Sequence, residues 1–372
     1  MADRPLDVIR LTPPGRGAIA ALRIEGPGAV EMVAAHCLSL RGRPLRSPAQ
    51  DRLVVGRFGG SRGEEVVLRR VSDEAVEIDC HGGPAAIARI EQVLVQSGCR
   101  PLGWQQWIAR QESEPTAAAA RIALAEARTT RTAAILLDQY RGALGRALAE
   151  VRAALARSQT ATARQRLDSL RAAGSVGLHL VRPWQVVVAG PPNVGKSSLI
   201  NALAGYPRAI VHRAPGTTRD AVTAETVLDG WPVELCDTAG LWDAADAVER
   251  AGIEVARRKM AQADLVLAVC DRSQPWSAAD EAVRRAHPEA CLVHNKSDLA
   301  PAAGPRPPGL DVSATKGEGI DALSKVIVAR LVPNIPLPGG PVPFTQEQLD
   351  RIDDWLRELG PALEQHGASP RE

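Results

Sequence analysis

Lysine is nearly absent from this chain. It occurs only at positions 196, 259, 296, 316 and 325, although Lys and Arg together number 45 in 372 residues. Cysteine pairs with metal-ligand spacing are missing too. Cys37, Cys80, Cys99, Cys236, Cys270 and Cys291 are scattered, which excludes a CxxC redox pair and a zinc cluster read from spacing. No apolar run reaches the length of a membrane span, and the first residues lack the apolar core of a signal peptide, so a cytoplasmic protein with no membrane partner is expected. The net charge of +2 lies too near zero to mark a nucleic-acid surface. What is present is an ordinary globular composition, 45% hydrophobic and 24% charged, with length enough for two or three cores.

Three textures follow one another along the chain. Residues 1–101 mix short alternating runs with Gly and Pro turns: "AIAALRIEG" (18–26), "RLVVGRFGG" (52–60) and "DEAVEIDCHGG" (73–83) read as strands, and 84–98 as a helix. Within a helical part at 102–180, residues 115–173 turn to Ala, Arg, Gln, Glu and Leu, with no Pro after Pro115 until 183, so two or three long helices ended by Gly174 and Gly177 are expected there. Residues 181–333 alternate apolar runs with helical stretches. "WQVVVAG", "PVELCDTAG", "LVLAVCD" and "ACLVHNKSD" predict a parallel sheet whose loops gather at the strands' C-terminal ends. Cys236 and Cys270 close two of these runs and read as buried core thiols. A Pro-rich linker (334–344) and a last amphipathic helix (345–372) follow, with Thr345 and Gln348 spaced as a capping box. The expected class is multidomain: an α+β N-terminal domain, an all-α helical domain, and an α/β P-loop domain of Ras-like type inserted between helical segments.

Two of the five lysines sit in nucleotide-binding motifs. "GPPNVGKSS" (190–198) has strand before it and helix after it, the context a phosphate loop requires. Gly190 and Gly195 permit the turn. The backbone around Asn193, Val194 and Gly195, and the helix start at Lys196, Ser197 and Ser198, then aim N–H groups at an anion. Lys196 should reach the β- and γ-phosphates, and the Ser197 hydroxyl should bind Mg²⁺. "APGTTRD" (214–220) offers Thr217 and Thr218, the latter as second hydroxyl on Mg²⁺. In "CDTAG" (236–240), Asp237 is the metal-side carboxylate, acting through water, and Gly240 offers its N–H to the γ-phosphate.

"HNKSD" (294–298) decides the base. A carboxylate at Asp298 accepts from guanine N1–H and N2–H₂, groups that adenine does not supply in that arrangement. Asn295 is expected on the other edge of the base, and the Lys296 stem along its face. "SATKGEG" (313–319) brings a backbone N–H near Ser313 and Ala314 toward guanine O6. Losing such a buried pair costs about 1–3 kcal/mol, enough to exclude ATP, so the ligands expected are GTP and GDP. Leu241 follows DTAG where many GTPases carry a water-orienting Gln. Two residues are open to fill that gap. Asn193 offers an oxygen near the phosphates for a monovalent cation, and Glu249 either orients water or sits on a solvated helix face.

"LTPPGRGAIAALRIEG" (11–26), "EIDCHGGP" (77–84), "RAIVHRAPGTTRD", "DTAGLWDAADAVERAGIE" and the motifs above together resemble the MnmE (TrmE) family of tRNA-modification GTPases. The phosphate loop and GTTRD are also similar to the ribosome-assembly GTPases Der and Era, which do not begin with the N-terminal stretch. The resemblance implies K⁺ at Asn193, pairing of two G domains in a homodimer, Glu249 positioning the attacking water, and a tetrahydrofolate derivative in the N-terminal domain. It also implies an MnmG-like flavoprotein partner and tRNA, modified at the wobble uridine. The chain departs from the pattern at three places. Its last residues read "EQHGASPRE" where the family has a cysteine-bearing tail, 104–125 lacks a match to "GEFTxRAFxNGKxDL", and Trp242 stands where Arg is usual. These departures keep open a regulatory or ribosome/RNA-assembly GTPase that has lost the modification chemistry.

Overall fold

The structure is a computed structural model. It describes residues 5–15, 17–45, 49–50, 52–205, 223–237 and 263–360. The chain forms two compact units, residues 1–118 and 119–372, each with a core of its own.

In the first unit, β1 (Asp7–Arg10), β2 (Ile19–Glu25), β3 (Cys37–Ser39), β4 (Leu53–Phe58), β5 (Glu64–Ser72), β6 (Ala75–His81) and β7 (Arg100–Pro101) form one sheet. Its order is β3-β4-β5-β6-β2-β1-β7, antiparallel except for the β1–β7 pair. The period-2 pattern sorts the faces as the sequence predicts: Ala20, Leu22 and Ile24 of β2 and Val76, Ile78 and Cys80 of β6 are buried. They pack with Val30 and Val33 of α1 (Ala29–Ala35) and Ile87, Ile90 and Leu94 of α2 (Pro84–Gln96). α3 (Trp104–Gln111) follows, its Trp107 indole N–H donating to Glu25 at 3.0 Å. The two glycine-rich stretches of this unit meet. Gly82 N–H donates to Ala18 O at 3.0 Å, and a Cβ on Gly82 would lie 2.2 Å from Gly17 O.

The second unit holds a six-stranded sheet built from β8 (Trp184–Ala189), β9 (Thr223–Leu228), β10 (Trp231–Asp237), β11 (Leu265–Asp271), β12 (Cys291–Asn295) and β13 (Leu310–Asp311). The order is β13-β12-β11-β8-β10-β9, parallel throughout except for β9. Strands β8, β10, β11 and β12 are almost continuously buried, the mark of a sheet covered on both faces. Among the described residues, the helices α8 (Lys196–Ala204), α9 (Ala278–Ala286) and α10 (Ile320–Leu331) belong to the α/β part. Both Cys236 and Cys270 are buried free thiols, and burial pushes the Cys270 thiol up to about 12.

The helical part differs from expectation in number. Four helices rather than two or three occupy it: α4 (Pro115–Glu126), α5 (Thr130–Tyr140), α6 (Ala143–Ala156) and α7 (Thr160–Gly177). The breaks fall at Thr129, whose hydroxyl caps Thr132 N–H, at Gly142 (φ 92°) and at Ser158 (φ 59°). As expected, α7 ends at Gly177, whereas Gly174 lies one turn inside it. A Cβ at Gly177 would lie 1.7 Å from Pro343 O, and one at Gly174 would lie 2.2 Å from Leu349 of α11 (Gln346–Glu358). The glycines therefore admit the C-terminal segment against α7. That segment is packed: Val342 and Phe344 are buried, and the Gln139 amide bonds Gly340 O (3.0 Å) and Val342 N–H (3.1 Å). The Thr345–Gln348 capping box forms as expected.

The helices also hold the six-stranded sheet at its β9–β10 edge. β9 and β10 join through Asp229-Gly230, both with positive φ (46° and 80°), as a two-residue hairpin turn requires. Thr129 donates its hydroxyl to Gly230 O at 2.7 Å, and Arg131 lies over the buried Trp231 ring at 5.6 Å.

Candidate functional site

The strand–loop–helix unit β8–α8 places the phosphate loop at the sheet's C-terminal edge. Gly190 is required by contact: a Cβ there would lie 2.2 Å from Val269 O of the neighbouring strand. Gly195 is required twice, by its φ of 93° and by the Asn295 amide, which would meet a Cβ at 2.3 Å. Asn193 itself takes a left-handed φ of 63°, a conformation Asn tolerates better than most residues. Its side chain is exposed, as are Ser197 and Ser198, while Val194 is buried beneath the loop.

Lys196 is buried, and its ammonium donates to Gly190 O (3.0 Å) and Pro191 O (2.8 Å), so it lies folded along the loop's inner wall. Ser197 donates its hydroxyl to Asp237 Oδ2 at 2.6 Å. That bond joins the start of α8 to the end of β10 and brings two oxygen donors together beside the loop. Thr217, Thr218, Gly240 and Glu249 lie outside the described residues.

The 294–298 segment is tied to the loops on either side of it. Asn295 is buried, and both ends of its amide are taken up by protein: Nδ2 donates to Val194 O at 2.9 Å, and Oδ1 accepts Ala314 N–H at 3.1 Å. Asn295 stitches the phosphate loop to the 313–319 loop. Asp298 is exposed, with one oxygen held by the buried Ser313 hydroxyl at 2.6 Å, and that bond holds its carboxyl below the usual carboxylate range. Ser313 also caps Lys316 N–H at 3.1 Å, so the two loops share one hydroxyl.

Lys296 has a left-handed φ of 63° and bonds a residue the sequence did not single out. Asp271, at the end of β11, accepts the Lys296 ammonium at 2.6 Å and the Ser273 N–H and hydroxyl at 2.9 and 2.6 Å. Burial alone raises the Asp271 carboxyl, but the bonds from Lys296 and Ser273 outweigh it and leave it below its ordinary value. In the sequence, Asp271 stands one strand away from HNKSD, and only the parallel pairing of β11 with β12, Asp271 opposite Asn295, brings them together.

A parallel sheet with one antiparallel edge strand, a phosphate loop leading into α8, and an NKSD loop on the next strands define a P-loop GTPase. The family model "50S ribosome-binding GTPase" matches residues 185–296. Over the longer span, the chain is 33% identical to the tRNA modification GTPase MnmE of Thermus thermophilus, covering 95% of this chain and 88% of that protein. It is 34% identical to MnmE of Synechococcus sp. across 85% of this chain and 79% of that one, and 33% identical to MnmE of Chloroflexus aurantiacus across 86% and 80%. The chain belongs to the tRNA modification GTPase MnmE family, and it is a GTP-hydrolysing enzyme. No helix among the described residues is long and apolar enough to cross a membrane.

Proposed function

We propose that this GTPase acts in modification of the tRNA wobble uridine, as a homodimer working with an MnmG-like flavoprotein partner. The observation that carries this reading is the extent of the likeness. It runs through 95% of the chain, N-terminal sheet included, and not through the GTPase domain alone. In the same reading, residues 1–101 form the dimerising, folate-type domain and 102–180 the first part of the helical domain. Residues 181–333 form the GTPase domain, and 334–344 lead to a closing helix in 345–372.

The residues of the site fit Mg²⁺. Ser197 and Asp237 present hard oxygen donors already drawn together at 2.6 Å. Ser197 would hold the ion with Thr218, and Asp237 would act through water; a magnesium ion held there would supply charge neutralisation for the β- and γ-phosphates. Lys196, Gly240 and the N–H groups of 193–198 bind the phosphates, and Asp298 reads the guanine edge. Asn193 would hold K⁺, supported by its exposed side chain on the left-handed turn of the loop. Glu249 positions the attacking water. A tetrahydrofolate derivative is assigned to the N-terminal unit, supported by the meeting of its two glycine-rich stretches at Gly17 and Gly82.

The test is mass spectrometry of wobble uridines in tRNA from a strain lacking this gene. Loss of the modified nucleosides supports the reading. Persistence, with no second homologue in the cell, overturns it. A second reading, a regulatory or ribosome/RNA-assembly GTPase, is favoured by the description of the family model across 185–296 as a ribosome-binding GTPase. Under it, the nucleosides persist and the GTP-bound protein co-sediments with ribosomal particles.

A further inference from the structure

The end of β11 clasps the NKSD loop from the neighbouring strand. Asp271 takes the Lys296 ammonium at 2.6 Å, with the carboxylate side chain 12% exposed and the lysine side chain 31% exposed. Arg272 does the rest. Its N–H donates to Asn295 O at 2.9 Å, its guanidinium to Ser297 O at 3.3 Å and to Asp311 at 3.3 Å. Arg306 in turn donates to Arg272 O at 2.9 Å. Two successive residues at the end of β11 thus contact the backbone or side chain of three successive residues, 295 to 297, at the end of β12.

We propose that Asp271 and Arg272 are positioning residues for guanine-nucleotide binding, and that Asp271 sets the Lys296 side chain in the pose that receives the base. Three physical points support this. Lys296 is held at a φ of 63°, where a residue with a β-carbon is strained and persists only when its surroundings fix it. A lysine stem left alone samples many rotamers, and ordering it on binding would weaken affinity. With the ammonium tied to Asp271, that ordering is complete before the nucleotide arrives. The second carboxylate oxygen does not drift, because Ser273 holds it by both N–H and hydroxyl. Asp271 itself touches no reacting atom, and its effect falls on binding and release.

This proposal rests on the reading of Asp298 as the guanine contact, and the experiment separates the two. GDP dissociation is measured by stopped-flow with a fluorescent GDP analogue, alongside KM and kcat for GTP, in the full chain. Asp271→Ala is expected to speed GDP release and raise KM about tenfold, the loss of roughly one part-buried ion pair, with most of the change in KM and not in kcat. Lys296→Ala, which also removes the stem from the base, is expected to weaken binding at least as much, and the double variant to be no worse than Lys296→Ala alone. Asp271→Asn keeps the shape and can still accept from Ser273, so it covers the case in which the alanine variant does not fold. If Asp271→Asn and Asp271→Ala release GDP at the wild-type rate, or if the double variant is additive, the positioning role is overturned. Asp298→Ala is the control for the underlying reading. Should it leave GDP affinity unchanged, the guanine assignment fails; should it weaken GDP while the Asp271 variants do not, only the positioning role fails.

Discussion

Replacing Asn295 by Ala separates a tie between loops from a contact with the base. In the structure, the Asn295 amide makes two hydrogen bonds inside the protein, to Val194 O and from Ala314 N–H, from a residue that is 2% exposed. Each such bond contributes about 1 kcal/mol net, and the Val194 carbonyl left behind in a buried setting adds to the loss, so about 2–3 kcal/mol is expected. For a cooperative unit of this size, roughly 2–4 °C of Tm accompanies each kcal/mol, which places the nucleotide-free variant about 4–12 °C below wild type. The assay is thermal unfolding of nucleotide-free protein, followed by GDP titration of whatever remains folded. A residue that only touched the base would behave in the opposite way, since its partners would be absent without ligand. An unchanged nucleotide-free Tm together with a large loss of GDP affinity would refute the tie.

Four further outcomes follow from the same geometry and motifs. Gly177→Ala places a Cβ 1.7 Å from Pro343 O; it is expected to destabilise the chain by about 1–3 kcal/mol, read from urea unfolding, and unchanged stability would mean α7 and the 340–344 segment separate easily. Burial pushes the His294 and His179 imidazoles below their ordinary value, against the opposing pull of Asp311 and Asp264. The unfolded chain therefore binds more protons than the folded one, so stability is expected to fall as pH drops below about 6.5, and H179Q/H294Q to flatten that slope in pH-dependent denaturation. Hydrolysis is expected to be faster in KCl than in NaCl at equal ionic strength; equal rates would remove the cation role of Asn193. Glu249→Ala is expected to slow turnover about a hundredfold while GTP still binds, and a rate near wild type would return Glu249 to a solvated face.

The motifs were legible because phosphate and guanine chemistry tolerate few substitutes. A buried close approach at Gly190 and a positive φ at Gly195 each demand glycine, and a hydroxyl drawn to a strand-end carboxylate is the pair Ser197–Asp237. The sheet was legible for a simpler reason, since four nearly unbroken apolar runs suit strands covered on both faces. What the sequence hid depends on register and on partners distant in the chain. Nothing local marks Asp271 as the partner of Lys296, because their meeting depends on Asp271 lying opposite Asn295 across β11 and β12. Gly174 and Gly177 read as helix stops because glycine lowers helix propensity by about 1 kcal/mol. The helix does end at Gly177, but the packing of both glycines against Leu349 and Pro343 was hidden, because those partners lie more than 160 residues downstream.

The same reasoning explains why the helices cannot be treated as a separate module from the site. β10 begins at Trp231, which is fully buried beneath Arg131, and ends at Asp237, which accepts the Ser197 hydroxyl. Between them, five residues pair in parallel with β8, from Val233 opposite Trp184 to Asp237 opposite Val188. A strand hydrogen-bonded on both sides does not slide by fractions of a residue, because slipping by one would exchange the side chains packed on its two faces and carry Glu234 into the place of Val233 or Leu235, which are fully buried. The carboxylate at one end and the indole at the other are therefore fixed in register with each other. Helix α5, by holding Gly230 and Trp231, fixes the strand that carries Asp237 to the phosphate loop.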